Sequence, residues 1–127
     1  MLDDLPKGEI AFLASPYSHP DPAVRERRYQ QAAKATAYLI CHRGMTVFSP
    51  IVHSHPLALI GGLDACDLAF WQRQNKPFMD ACYGGLIVLK LDGWKESVGV
   101  QAEIAFMRGK RRQIEYLDPA DIEEAPQ

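Results

Sequence analysis

A chain of 127 residues with 47% apolar and 24% charged side chains has the make-up of one globular domain around one core. Its net charge of −2 excludes a general attraction to nucleic acid polymers. The short runs Arg25-Glu26-Arg27-Arg28 and Lys110-Arg111-Arg112 read as a solvated helix face and a helix C-terminus.

The three cysteines, Cys41, Cys66 and Cys82, are odd in number and lack CxxC spacing, which argues against a disulfide framework and a structural zinc site. With no signal-peptide pattern and no apolar run of membrane-spanning length, the expected location is a reducing cytoplasm, without a membrane partner.

Met1 to Glu9 is a polar lead-in. Ile10-Ala11-Phe12-Leu13-Ala14 is a continuous apolar run, the pattern of a strand buried on both faces of a parallel sheet. Ser15 to Pro22 carries three prolines and reads as a loop. Asp21 followed by Pro22 is a helix start, and the helix should run to about Arg43. Its apolar stripe is Val24, Ala32, Ala35, Leu39 and Ile40, and Gly44 ends it. Met45 to Ser49 is a second strand, which completes a right-handed βαβ unit.

Pro50 to about Asp64 is expected to be irregular. Asp67 to Cys82 reads as a helix with Leu68, Phe70, Trp71, Phe78 and Met79 inward and a break or kink at Pro77. Leu86 to Leu89 is a third strand, about Val98 to Arg108 a helix stopped by Gly109, and Gln113 to Leu117 a fourth strand. Asp118 to Gln127 is a short turn and tail. The expected architecture is a three-layer α/β/α domain on a parallel sheet of four to five strands.

The richest stretch runs from Leu91 to Gly109, a loop and a helix after a buried strand, where open α/β sheets place ligands. Gln101 and Arg108 are seven apart and share the solvent face. Glu103 lies about 160° from Gln101 around the helix, and its neighbours Val100, Ile104 and Met107 are apolar. A glutamate off the wet face needs a partner or a cleft, so Glu103 is the first candidate for chemistry.

Ser97 is the natural N-cap of that helix. With the free N–H groups of Val98 and Gly99 it could also bind an anion, and Gly99 would allow close approach. The loop containing Ser15, Tyr17 and Ser18 is the other natural phosphate or sugar site. It lacks the glycines of a dinucleotide loop and a Walker lysine, so neither NAD nor ATP is indicated and no cofactor is expected.

His53 and His55 form an HxH pair. In an extended segment both would point one way, as metal ligands or as substrate contacts, but no third ligand sits at a telling spacing and no metal is expected. Asn75 and Asp80 precede the third strand, and either could meet Glu103 across the sheet edge. Cys82 reads as a buried structural thiol.

Three motifs stand out together: Ile10-Ala11-Phe12-Leu13-Ala14-Ser15-Pro16-Tyr17-Ser18, Phe48-Ser49-Pro50-Ile51-Val52-His53-Ser54-His55-Pro56, and Gly93-Trp94-x-x-Ser97-x-Gly99-x-x-x-Glu103. They resemble a family of small uncharacterised bacterial proteins related to nucleoside 2′-deoxyribosyltransferases and deoxynucleoside 5′-monophosphate N-glycosidases. The first resemblance covers nearly the whole chain. The second rests on element order and the Ser-x5-Glu spacing.

The resemblance implies a flavodoxin-like sheet, a nucleophile at Glu103, a phosphate contact at Ser97, and sugar or phosphate contacts from Ser15 to Ser18. It implies a homo-oligomer, and Trp94 and Gly99, in the third motif, are further candidate substrate contacts. Two positions depart from the relatives: Ala11 stands where some have a tyrosine, and Asn75 where they have the aspartate that assists leaving-group protonation. Asn75 cannot be a general acid, which leaves Asp80 as the alternative.

The functional expectation is cleavage or transfer at the N-glycosidic bond of a nucleoside or nucleotide. The competing expectations are an inactive nucleotide-binding sensor and a metal-dependent hydrolase using His53 and His55.

Overall fold

The expected first strand is β1 (Ile10–Ala14), with every side chain from Ala11 onward buried. Asp21 then accepts a hydrogen bond from the Ala23 N–H at 2.9 Å and Pro22 takes the first helical position. The helix that follows, α1 (Pro22–Arg43), stops at Gly44, which has a left-handed φ of 62°. Ala32, Ala35 and Leu39 carry its buried stripe, whereas Ile40 is exposed. β2 (Thr46–Phe48) returns parallel to β1, with Phe12 opposite Phe48. The computed structural model describes residues 1–123.

The expected irregular stretch after Pro50 is instead a helix, α2 (Pro50–Gly61). Ser49 accepts from the Val52 N–H at 3.3 Å, Pro50 stands at the first position, and Gly62 closes the helix at a φ of 70°. This is the cap-proline-glycine grammar that begins and ends α1. The internal Pro56 and the two histidines obscured it.

α3 (Leu68–Asp80) is likewise continuous through Pro77. That proline gives no N–H to the Arg73 carbonyl one turn back, and the helix ends soon after it, at Asp80. Arg112 takes the nearby carbonyls of Met79 and Asp80, each at 2.7 Å. Trp71 and Met79 face inward as expected, but Leu68 and Phe78 are exposed, and Phe78 stacks on Phe48 with ring centroids 4.4 Å apart.

β3 (Leu86–Leu89) is wholly buried. α4 (Val98–Gly109) begins at Ser97, which accepts from the Val100 N–H at 3.2 Å. β4 (Ile114–Leu117) and α5 (Pro119–Glu123) end the described chain; the rest of the expected tail lies outside it.

All neighbouring strands pair in parallel, in the order β2-β1-β3-β4. Alternation along β1 sends Ala11 and Leu13 to one face and Phe12 and Ala14 to the other. The first face packs with Ala35, Leu39 and Ile122 of α1 and α5, and the second with Met79, Val100, Ile104 and Met107 of α3 and α4. The result is a three-layer α/β fold with flavodoxin-like strand order. The order reverses between β1 and β3, so the carboxyl ends of these two strands flank a crevice. No helix among the described residues is long and apolar enough to cross a membrane.

Candidate functional site

That crevice is a cleft of about 520 Å³, a size suited to a small ligand. The loop after β1 contributes Ser15, Tyr17 and Ser18. The start of α4 contributes Ser97, Val98, Gly99 and Glu103, and α3 contributes Asn75. Ile51, Leu68 and Trp71 form apolar wall. These elements are distant in sequence and meet because β1 and β3 are adjacent and both end there.

Ser15, Asn75 and Glu103 are cleft residues with polar atoms that lack a partner among the described residues. Ser15 Oγ and Asn75 Oδ1 are the two fully buried side-chain oxygens without a hydrogen bond among the described residues. Both line this cleft. Native folds rarely leave such atoms unpaired, so each needs a partner from the cleft, a water or a ligand. Glu103 is the third: it is only partly accessible, and no described residue hydrogen-bonds to its carboxylate. Burial pushes its pKa from 4.5 up to about 8. In the free protein near neutral pH it is therefore mostly a neutral acid. Neither Tyr17, which bonds His55, nor His53, which lies outside the cleft, donates to it.

Glu103 lies off the solvent face of α4, as its angular position implies. Gln101 and Arg108 are exposed, while Val100, Ile104 and Met107 are buried around it. Ser97 caps α4 and lines the cleft at once, so capping and ligand contact do not compete: its oxygen accepts from Val100, and its hydroxyl proton remains free to donate. A Cβ placed on Gly99 would meet only Leu68 Cδ1, at 3.9 Å, and Ser97 Oγ, at 4.0 Å. The fold itself does not require glycine there.

Four expected site residues fall elsewhere. On helical α2, residues two apart point about 160° away from each other. His53 is therefore exposed against Phe48 and Phe78 while His55 is buried, and the pair cannot act as adjacent ligands. No group of three or more His, Cys, Asp or Glu among the described residues is placed to hold a metal ion. His55 sits behind Tyr17 rather than in the cleft wall. Trp94 turns toward β4 and packs on Tyr116, with ring centroids 5.5 Å apart. Asp80 lies at the far end of α3 and does not line the cleft; its carboxylate pairs with Lys76 at 3.4 Å. Burial pushes the Cys82 thiol up to about 11, as befits a structural cysteine.

Two features escaped the sequence. The run Arg25 to Arg28 is more than a solvated face. Arg28 lines the cleft and donates to the carbonyls of Ser18 at 3.1 Å and Asp92 at 3.3 Å, joining the loops after β1 and β3. Arg25 donates to the His19 carbonyl, and Glu26 accepts from His55 Nε2 at 3.0 Å. The signal was present: these residues occupy the first two turns of a helix whose N-terminus follows the β1 loop. The second feature is the chain of bonds from Tyr17 through His55 to Glu26, which joins residues up to 38 positions apart.

A family model described as a domain of unknown function (DUF1937) matches residues 9–117. The chain belongs to the DUF1937 family. The match spans β1 to β4, and with them every cleft residue named above, and leaves out α5. No curated protein matches the chain. The family's description assigns no chemistry, so function has to be argued from the cleft.

Proposed function

We propose that the cleft breaks, or transfers across, the N-glycosidic bond of a nucleoside 5′-monophosphate, with Glu103 as nucleophile. The observation that carries this is the partnerless Glu103 carboxyl at the β1/β3 switch point, facing the same cleft as the unpaired oxygens of Ser15 and Asn75. A sugar matches the need, because its hydroxyls donate to all three. Donation to Glu103 would lower its pKa and favour the attacking carboxylate. The free N–H groups at the α4 terminus, the Ser97 hydroxyl and Arg28 favour a phosphate at one end. Ile51, Leu68 and Trp71 favour a base at the other.

In the step, a Glu103 oxygen bonds to C1′ while the C1′–N bond breaks and its electron pair leaves with the base. Water or a second base then attacks C1′ and releases Glu103. The resemblance of the Ser97-x5-Glu103 motif to the deoxyribosyltransferases supports the same assignment. It also supports self-association, which sedimentation equilibrium tests. The expected result for the activity is base release from a panel of 5′-monophosphates by wild type and none by Glu103→Gln.

Asn75 favours a second reading, a nucleotide-binding module without turnover, because an amide cannot protonate a leaving base. Calorimetry with the same nucleotides separates the two: binding without base release by wild type favours the module.

A further inference from the structure

The N-glycosidic reading leaves a chemical gap. A departing base needs a proton, yet Asn75 has none to give and Asp80 is engaged outside the cleft. One hydrogen-bonded chain does run from the cleft wall to solvent. Tyr17 lines the cleft, and its hydroxyl is 2.6 Å from His55 Nδ1. His55 is 4% exposed and stacks on Tyr29, with ring centroids 4.2 Å apart. Its Nε2 is 3.0 Å from Glu26 Oε1, whose side chain is about half exposed. Both ring nitrogens are thus committed, one toward the cleft and one toward water. A second cleft, on the other side of Tyr17, is lined by His55 and Glu26 and also by Arg25 and Asp64.

We infer that Tyr17 is the proton donor to the leaving base, its proton replaced from His55, which Glu26 holds in place. This rests on the N-glycosidic reading of the cleft. Hydrogen bonds from Gln30 and His55 hold the Glu26 carboxyl below its ordinary range, so an ionised oxygen is available to support a charged ring. Burial raises the Tyr17 phenol, which keeps it a proton carrier.

In the acting form His55 carries protons on both nitrogens, one donated to Glu26 and one to the Tyr17 oxygen. The Tyr17 O–H then points into the cleft. As the C1′–N bond breaks, the base nitrogen takes the Tyr17 proton and the Tyr17 oxygen takes the Nδ1 proton. His55 ends neutral, with Nε2–H still on Glu26 and the Tyr17 O–H turned back to Nδ1. That end state fits the 2.6 Å and 3.0 Å contacts, and a proton from water returned to Nδ1, with the Tyr17 O–H turning back to the cleft, resets the pair. Tyr17 is the catalytic residue; His55 and Glu26 are positioning residues that act through it.

The test uses two substrates that differ in their need for a proton. Deoxyguanosine 5′-monophosphate requires protonation of its base, whereas the N7-methylated nucleotide already carries a positive ring and leaves as a neutral base. Base release is measured for wild type, Tyr17→Phe, Glu26→Gln and Glu26→Ala, with uncatalysed release subtracted. Glu26 is at the surface, so its variants guard against misfolding at Tyr17.

The expected result is that the ratio of unmethylated to methylated rate falls by about 100-fold in Tyr17→Phe and by about 10-fold or more in the Glu26 variants. An unchanged ratio, with both rates reduced equally or neither reduced, overturns the relay and leaves the glycosidic reading standing. Wild-type release from the methylated nucleotide alone does the same. No wild-type release from either nucleotide overturns the glycosidic reading, and the relay with it.

Discussion

Glu103 stores a folding penalty that can be measured. Its folded pKa of about 8 lies above the ordinary 4.5, so the folded state keeps a proton that the unfolded chain gives up. Below about pH 4.5 both states are protonated and there is no effect. Stability is lost as pH rises from there, and the loss is complete above about 8. Glu103→Gln keeps the shape and removes the titration. It should exceed wild type by on the order of 2–3 kcal/mol at pH 8.5 and match it near pH 4.5. Urea midpoints at the two pH values check this.

Ser15 carries a smaller penalty of the same kind. Its buried, unpartnered hydroxyl should make Ser15→Ala more stable than wild type by about 1 kcal/mol, while nucleotide affinity by calorimetry falls. Gains in stability on truncating cleft residues mark groups kept for a ligand rather than for the fold.

At the scale of elements, α4 is both a structural cap and a binding terminus. A methyl group at Gly99 would have open space around it, with no contact shorter than 3.9 Å. Gly99→Ala should therefore stabilise α4 by about 0.5–1 kcal/mol. It should also weaken nucleoside 5′-monophosphate binding more than nucleoside binding, because the methyl crowds the phosphate end. Equal losses for both ligands would place the phosphate elsewhere.

Elements with one strong signal were legible in the sequence. β1 and β3 are short apolar runs, α1 is bounded by Asp21-Pro22 and Gly44, and α4 by Ser97. α2 was not legible, because Pro56 and the two histidines suggested a loop while the Ser49-Pro50 and Gly62 caps fix a helix. The difference matters for the site, since residues two apart share a face on a strand but separate on a helix, as His53 and His55 do. α3 runs on through Pro77, and its last carbonyls are met by Arg112 from a position 30 or more residues away. No local pattern encodes such a partner.

Across the molecule, the cleft depends on two loops held together by one guanidinium. Arg28 bonds the carbonyls of Ser18 and Asp92, the second a contact across 64 residues, and so ties together the ends of β1 and β3. Arg28→Ala should leave the sheet intact, with far-ultraviolet circular dichroism unchanged, and reduce nucleotide affinity by about 10-fold through loss of a cation and of loop order. Arg28→Lys should recover little, because a point charge cannot bridge two carbonyls as a planar fork does.

Glu103, Ser97 and the β1 loop could be found from sequence because each announces itself within a few residues. Arg28 and the chain from Tyr17 to Glu26 could not, because they exist only once the βαβ unit folds back on itself.

The central claim is that Glu103 attacks C1′. Rapid quenching of wild-type protein mixed with a deoxynucleoside 5′-monophosphate, followed by peptide mass spectrometry, tests it directly. The expected result is free base together with a deoxyribose 5-phosphate ester on Glu103, and neither with Glu103→Gln. Base release that persists in Glu103→Gln, or a sugar adduct on any other residue, would contradict it.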